Sequence, residues 1–125
     1  MSRVLDLVDF DKGGGLVPVV VQDDSTMAVL TLAYVNREAL QRTLETGLAH
    51  FYRRSLGRVM MKGETSGHIQ KVVDILIDCD NDSLVFRVRK IGPACHLGRE
   101  SCFVPVAQLA QGSRSQATVV RASDG

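Results

Sequence analysis

Residues 71–83 read KVVDILIDCDNDS and residues 92–103 read GPACHLGRESCF, and these two stretches together hold all three cysteines of the chain. The first stretch has the period-two pattern that is typical of a β-strand. One side of the alternation carries Ile69, Lys71, Val73, Ile75, Ile77 and Cys79, and the other carries Gln70, Val72, Asp74, Leu76, Asp78 and Asp80. If the strand stays regular as far as Asp80, Cys79 points away from the aspartates. The cysteine and the aspartates then cannot bind the same ion.

The aspartates at the end of this strand are candidate ligands for a hard cation. Asp78, Asp80 and Asp82 concentrate carboxylate oxygens, which Mg²⁺ and Ca²⁺ prefer. A calcium loop of the EF-hand type is excluded, because its sixth and twelfth positions, Gly and Glu, are Ser83 and Arg89 when counted from Asp78. The alternative is an acidic β-turn without metal, since Asp and Asn side chains readily hydrogen-bond to turn backbone. The neighbouring cysteines favour a metal.

The three cysteines are soft ligands suited to zinc. Six residues separate Cys95 from Cys102, more than the two to four of the usual C-x₂₋₄-C zinc knuckle. A zinc site therefore needs an irregular loop here, together with Cys79 from a distant strand. Three thiolates leave a fourth position for water, which zinc can activate at neutral pH. His96 could close the site as a fourth ligand or carry protons, and we favour the proton carrier.

Other interpretations of the cysteines remain open. Cys95 or Cys102 could be a nucleophile activated by His96, although adjacent side chains rarely have the required geometry. Any single cysteine could be a buried structural thiol. Zinc could also join two chains without catalysis. A zinc nucleobase deaminase is excluded, because the chain has no H-x-E sequence and Pro93-Ala94-Cys95 does not fit P-C-x-x-C.

Length and composition predict one soluble domain. The chain has 125 residues, 45% of them hydrophobic and 23% charged, with a formal net charge of +1. This charge gives no reason to expect nucleic acid as a partner, and the six aromatic residues show no stacking pattern for RNA. No apolar run approaches the ~20 residues that span a bilayer, and the start lacks a signal peptide. We therefore expect a cytoplasmic protein without a membrane partner.

The pattern of strands and turns predicts a β-rich α+β fold, with a folded, mostly antiparallel, barrel-like sheet and one main helix. Asn36 is a good N-cap and Gly47 a good C-cap for that helix. The predicted strands are Leu16–Gln22 with Met27–Tyr34 as one hairpin, Leu48–Ser55 with Val59–Lys62 as a second, and two more at residues 69–80 and 84–89. The three strands between Val59 and Arg89 would be largely antiparallel. Residues 1–104 would form the domain, and residues 105–125 a tail with a short helix near Val106–Gln111 and a frayed end.

Two polar segments could contact a substrate. Arg53 and Arg54 lie beside a predicted turn, where a basic pair could hold a phosphate. Residues 62–68, KGETSGH, form a loop that offers backbone donors, hydroxyls and a charge of each sign. Its spacing is not that of a P-loop.

Several motifs, taken together, closely resemble those of the phosphoribosyl-AMP cyclohydrolase family. They are GLVP at residues 15–18 with VQD at 21–23, LAYVN at 32–36, KGETSG at 62–67, DCDND at 78–82, and GPACH with SCF at 92–103. The resemblance runs from about Gly15 to Phe103. It implies a hydrolase of histidine biosynthesis, which in the third step opens the adenine ring of phosphoribosyl-AMP to the formimino-aminoimidazole-carboxamide ribotide.

The resemblance also implies two metals and an obligate homodimer. By family pattern, Asp78, Asp80 and Asp82 would bind Mg²⁺, and Cys79, Cys95 and Cys102 would bind Zn²⁺. The zinc sites of the family lie between subunits, so that Cys79 would meet Cys95 and Cys102 of the partner subunit. This explains how a cysteine that points away from its own aspartates can find ligands.

These implications give a mechanistic hypothesis. Zinc-bound hydroxide attacks C6 of the N1-substituted adenine, whose ring is cationic, and the C6–N1 bond breaks. His96 handles protons, and Mg²⁺ positions or neutralises phosphate. The candidate substrate contacts are Arg53, Arg54, Lys62, Glu64, Thr65, Ser66 and Arg99.

The chain departs from the family pattern at a few positions. Met60-Met61 stands where the family often has Trp-Arg, His68 replaces a frequent Asn, and Leu97 replaces a common Thr. These departures bear on substrate contacts and not on the reaction.

Overall fold

Two β-sheets and three α-helices make up residues 2–92 and 100–114, the part of the chain that the computed structural model describes. In chain order the helices are α1 Ser2–Leu7, α2 Arg37–Thr46 and α3 Val106–Arg114. The strands are β1 Val17–Asp23, β2 Val29–Val35, β3 His50–Arg53, β4 Arg58–Met61, β5 Gln70–Ile77 and β6 Leu84–Lys90. No helix in the described residues is both long and apolar enough to cross a membrane.

The sheets confirm a strand-rich α+β fold dominated by antiparallel pairs. Four strands form one sheet in the order β2-β1-β6-β5, and β3 pairs with β4 in a separate two-stranded ribbon. The sequence predicts one folded sheet, whereas the described strands form two sheets. Of the three strands between Val59 and Arg89, β5 and β6 pair antiparallel as predicted, and β4 pairs with β3 instead of with either of them. Leu48, two residues before β3, pairs with Lys71 of β5 in an isolated antiparallel bridge, which links the ribbon to the larger sheet. The predicted domain boundary at residue 104 stays a prediction.

The pairing of β1 with β6 is parallel, and nothing in the local sequence indicates it. This pairing makes β1 a central strand, with β2 antiparallel on its other side. Pro18 lies before the parallel register begins at Val19, so its missing N–H removes no hydrogen bond to β6. Near Pro18 the first strand therefore has no register partner on the β6 side.

A bulge in β5 changes the faces that the regular alternation predicts. The register with β6 shifts between Val72 and Asp74, so that Val73 is the extra residue. Val72 pairs with Val88 and Ile75 pairs with Phe86, which puts Val72 and Ile75 on the same face. The prediction that they point to opposite faces is wrong, because one inserted residue reverses the parity of everything before it.

The two hairpins and α2 form as predicted. Asn36 caps α2 by accepting a hydrogen bond of 2.8 Å from the backbone of Ala39, and Gly47 ends it with a φ of 77°. A short helix at the start of the tail is also present as α3. The first residues gave no sequence signal, yet they form α1.

The core lies on one face of the four-stranded sheet. Val19, Val21 and Phe86 have no solvent exposure, and Phe51 of the ribbon stacks on Phe86 with ring centroids 5.9 Å apart. The opposite face carries a continuous apolar row across all four strands: Leu32, Val20, Val85 and Leu76. Leu32 is 47% exposed and Leu76 is 37% exposed, so the described residues leave both ends of this row open to solvent.

Candidate active site

A cleft of 590 Å³ lies where the edge strand β2 meets the β3–β4 ribbon. It collects side chains from both sheets and from the segment before α3. The lining residues are Thr31, Ala33, Tyr34, Phe51, Tyr52, Arg53, Arg54, Ser55, Lys62 and Cys102. The structure thus brings together three of the predicted substrate contacts and one of the predicted zinc ligands.

The cleft is cationic. Arg53, Arg54 and Lys62 line it, and no carboxylate appears among its lining residues. Within the described residues, the side chains of Arg53 and Arg54 form no ion pair with a carboxylate. The guanidinium carbon of Arg54 instead lies 4.1 Å from the centroid of the Tyr34 ring. Unpaired guanidinium groups in a cleft are suited to phosphate.

Cys102 reaches the cleft because its segment is fastened to the outer edge of β2. The backbone N–H of Cys102 donates to the carbonyl of Leu30 at 2.7 Å, and the Ser101 hydroxyl donates to the carbonyl of Val29 at 2.7 Å. The thiol itself is exposed. A ligand in the cleft can therefore reach the sulfur.

Ion pairs connect the segment that carries Cys102 to the four-stranded sheet. Lys90 donates to Glu100 at 2.6 Å and lies 3.8 Å from the carboxylate of the buried Asp23. The hydrogen bond to Glu100 raises the pKa of Lys90. The backbone N–H and hydroxyl of Ser25 lower the pKa of Asp23, and Lys90 adds to that effect.

Apart from Lys62, the polar loop after β4 lies outside the cleft's lining. The Glu64 carboxylate accepts a hydrogen bond from the backbone N–H of Met61 at 3.0 Å, and the Ser66 hydroxyl accepts from the backbone N–H of His68 at 3.2 Å. A Cβ on Gly63 would lie 2.5 Å from the backbone of His68, so the loop folds tightly on itself. Glu64, Thr65 and Ser66 are not brought into the described cleft.

The three aspartates come together in the turn between β5 and β6. Each offers one oxygen, and these oxygens lie within 4.8 Å of one another. The arrangement comes from a turn and not from strand parity, because β5 ends at Ile77 and Asn81 takes a left-handed φ of 65°. No cysteine joins this group in the described residues, and the separation of the two kinds of ligand stays a prediction.

Asp78 also holds this turn together. Its carboxylate accepts hydrogen bonds from the Ser83 hydroxyl at 2.6 Å and from the backbone N–H of Asp82 at 3.0 Å. These bonds, that of Ser83 first, hold the pKa of Asp78 well below its usual range. The acidic-turn interpretation therefore applies to Asp78, while its remaining lone pairs can still bind a cation.

Lys12 supplies the positive charge at this cluster. Its Nζ lies 3.3 Å from a carboxylate oxygen of Asp80 and 3.3 Å from one of Asp82. Proximity to Asp80, and then to Asp78, raises the pKa of Asp82. Desolvation lowers the pKa of Lys12, but its hydrogen bonds to Asp80 and Asp82 outweigh that effect and raise it. A divalent cation at these oxygens would replace the ammonium group.

Cys79 and Cys102 lie at distant corners of the four-stranded sheet. Cys79 follows β5 at one edge, and Cys102 is bonded to β2 at the other. Three interstrand spacings, with about four residues along the strands, separate them by on the order of 20 Å. Zinc needs each sulfur at about 2.3 Å. One protomer therefore does not bring these two thiols to one ion. The predicted residues Cys95, His96 and Arg99 lie outside the described residues.

Sequence reasoning missed several residues of these sites. Tyr34 lies in the motif at residues 32–36, and Tyr52 stands next to the basic pair Arg53-Arg54. The sequence pattern assigns no role to either tyrosine. An aromatic residue beside a predicted anion site is the signal that could have identified Tyr52. Lys12 lies 68 residues from Asp80 along the chain, and only the fold joins them.

The chain is similar to known proteins of one enzyme family. The family model described as phosphoribosyl-AMP cyclohydrolase matches residues 31–104. The chain is 52% identical over 103 residues to the phosphoribosyl-AMP cyclohydrolase of Cenarchaeum symbiosum, covering 82% of this chain and 95% of that protein. It is 56% identical over 96 residues to the protein of the same name from Listeria monocytogenes serotype 4b, covering 77% of this chain and 90% of that protein.

A longer relative has the same similarity over part of its length. The chain is 57% identical over 103 residues to the histidine biosynthesis bifunctional protein HisIE of Pyrococcus furiosus, covering 82% of this chain. It spans about half of that relative, 49% of its length. From the family match and these identities, the chain belongs to the phosphoribosyl-AMP cyclohydrolase family of enzymes.

Proposed function

We propose that this protein opens the adenine ring of phosphoribosyl-AMP by hydrolysis, as a step of histidine biosynthesis in the cytoplasm. Water adds to C6 of the N1-substituted adenine, and the C6–N1 bond breaks. The oxygen remains on C6 as a carboxamide, and N1 leaves as part of a formamidine. The observation that carries this proposal is the cleft in which Arg53, Arg54 and Lys62 lie together with Cys102.

The cleft is suited to a nucleotide. The substrate has phosphate groups, and the two unpaired arginines offer planar, charged donors for them. Tyr34 and Tyr52 add aromatic faces on which a base can stack. Because Cys102 lines the same cleft, chemistry at its sulfur would take place next to the bound base.

The aspartate cluster fits Mg²⁺. Asp78, Asp80 and Asp82 present hard oxygen ligands within 4.8 Å of one another, and Lys12 already shows that a positive charge is stabilised there. These residues would hold the ion. A bound Mg²⁺ would help to position or neutralise a substrate phosphate.

The thiols fit Zn²⁺ only if two chains contribute. Cys79 and Cys102 are exposed and on the order of 20 Å apart in one protomer. In a homodimer, Cys79 of one chain can meet the Cys102 and Cys95 of the other. The apolar row of Leu32, Val20, Val85 and Leu76, exposed at its two ends and partly exposed between them, supports such an assembly, because an apolar surface favours burial against another chain.

Cys79, Cys95 and Cys102 would hold Zn²⁺ as thiolates, and the ion would supply an acidic water at neutral pH. The residues of the cleft would bind and orient the base and keep C6 beside the thiols. His96 would move the protons that the ring nitrogen gains when the bond breaks.

The direct test is turnover of phosphoribosyl-AMP by purified protein with zinc and magnesium, followed by the ultraviolet change of ring opening. Cys102→Ala and Cys95→Ala should each abolish turnover. Arg54→Ala should raise KM by about tenfold, since a charge-assisted hydrogen bond is worth about 1.5 kcal/mol or more. Arg42→Ala is the matched control, because Arg42 pairs with Glu38 on α2, away from the cleft. Turnover that survives loss of Cys102 would refute the role of the thiol.

A further inference from the structure

The contact between Arg54 and Tyr34 places a cation on an aromatic face inside the cleft. The guanidinium carbon lies 4.1 Å from the ring centroid, and Tyr34 is half-buried in the wall of the cleft. Aromatic faces attract cations because their quadrupole is negative at the face. Tyr52 lines the same cleft, and no cation lies over its ring in the described part of the chain.

The substrate of the proposed reaction carries a planar cation of its own. Substitution at N1 leaves the adenine ring positively charged, whereas the ring of AMP is neutral. The charge belongs to the intact ring and is absent from the ring-opened product. A site that prefers a flat cation would therefore bind the substrate more tightly than either AMP or the product.

We propose that the face of Tyr34 is the specificity-determining surface for the cationic base, which takes the position that Arg54 occupies in the free protein. This inference rests on the proposed function. When the nucleotide enters, a phosphate offers Arg54 a charge-assisted hydrogen bond, which is stronger than its contact with an aromatic ring near solvent. Arg54 moves to the phosphate, and the ring face becomes available to the base.

The exchange couples recognition of the two parts of the substrate. A nucleotide supplies a new partner for Arg54 and a cation for Tyr34, so both groups remain paired in the complex. A cationic nucleoside without phosphate must displace Arg54 without supplying a new partner. Its affinity should therefore be lower than that of the nucleotide, and removal of Arg54 should raise it.

The experiment is a calorimetric titration of the full chain with two probes, AMP and 1-methyladenosine 5′-monophosphate, at pH 7. The unaltered protein should prefer the methylated, cationic probe. Tyr34→Leu should weaken binding of that probe by about 5- to 30-fold and leave AMP affinity within about threefold. Tyr34→Phe keeps the aromatic face and should retain most of the preference. Tyr52→Leu, at the second tyrosine, should affect the two probes alike.

A third probe, 1-methyladenosine, tests the exchange of partners. Arg54→Gln should tighten binding of this phosphate-free cation and weaken binding of 1-methyladenosine 5′-monophosphate. Affinity changes of opposite sign for the two probes would support the exchange of partners. Affinity changes of the same sign for both probes would overturn it.

The outcomes separate this inference from the proposed function. If Tyr34→Leu weakens AMP and the methylated nucleotide equally, or weakens neither, the role of Tyr34 is overturned while the nucleotide cleft stands. If neither nucleotide binds to the unaltered protein, the cleft is not a nucleotide site and both proposals fail. Should Tyr34→Leu fail to fold, the directions in which Arg54→Gln changes the affinities for 1-methyladenosine and for its 5′-monophosphate still decide whether the ring face binds the cationic base.

Discussion

Lys12 and a divalent cation need the same carboxylate oxygens. The lysine Nζ is 3.3 Å from Asp80 and 3.3 Å from Asp82, two of the proposed Mg²⁺ ligands. Lys12→Met should therefore tighten Mg²⁺ binding by about two- to tenfold, because it removes one competing charge that solvent already screens. Titration with Mg²⁺ alone measures this effect. Lys71→Met, at an exposed lysine of β5, is the control, and unchanged or weaker binding by Lys12→Met would contradict the shared site.

The carboxylate of Asp23 should make stability depend on pH in the acidic range. Its pKa is lowered in the folded protein, chiefly by the backbone and hydroxyl donors of Ser25. A lowered pKa contributes stability above the unfolded value, about 3.9, and that contribution is lost as the pH falls through the folded value. At pH 7 the free energy of unfolding of the unaltered protein should exceed that of Asp23→Asn by about 1–3 kcal/mol.

Urea denaturation at pH 7 and pH 3 tests this dependence. The difference in free energy of unfolding between the unaltered protein and Asp23→Asn should shrink at pH 3, because that pH lies below the unfolded pKa of about 3.9 and the unfolded chain then binds a proton that the folded state resists. Asp6→Asn, at an exposed carboxylate of α1, corrects for the general effect of removing a negative charge. A difference of the same size at both pH values would show that Asp23 acts without its charge.

At the residue scale, the sequence predicts the type of ligand that a side chain offers better than it predicts where that side chain lies in the fold. The grouping of Asp78, Asp80 and Asp82 and the separation of Cys79 follow from ligand type. The shared cleft of Arg53, Arg54, Lys62 and Cys102 does not, because Cys102 reaches it only by hydrogen bonds to β2. Contacts between residues far apart in the chain are fixed by the fold and leave no local pattern.

Among the elements, α2 is the one whose ends follow most directly from sequence. Gly47 ends it with a φ of 77°, a region where a Cβ is strained even though nothing lies within 4 Å. Gly47→Ala should therefore destabilise the protein by about 1 kcal/mol. Gly13→Ala is the matched control, because its surroundings are equally open and its φ is not in that region. Equal denaturation midpoints for the two variants would contradict this account.

Strand existence was predictable from sequence, and strand pairing was not. Hairpins join neighbours in the chain, so β1 with β2 and β3 with β4 follow from turn signals. The parallel pair of β1 and β6 joins segments about 60 residues apart, and hydrophobic pattern alone does not select it. The bulge at Val73 also escaped prediction, since a single extra residue leaves the apolar composition of β5 unchanged.

At the scale of the whole molecule, binding of Cys79 and Cys102 to one zinc ion, as proposed above, would require a second chain. Both cysteines are exposed at opposite edges of the sheet, and the face between them carries the apolar row from Leu32 to Leu76, whose two ends are exposed. A two-fold axis can bring one corner of a sheet to the opposite corner of its copy, and it does so twice. Each zinc site would then use Cys79 of one subunit and Cys102 of the other.

The most direct measurement is ring-opening activity after Cys79→Ala and Cys102→Ala chains are mixed, unfolded and refolded together with zinc. Each variant alone should be inactive. In a mixed dimer one site loses both thiols and the other keeps both, so an equal mixture should regain about a quarter of the unaltered activity. A mixture as inactive as its components would contradict a zinc site built from two subunits.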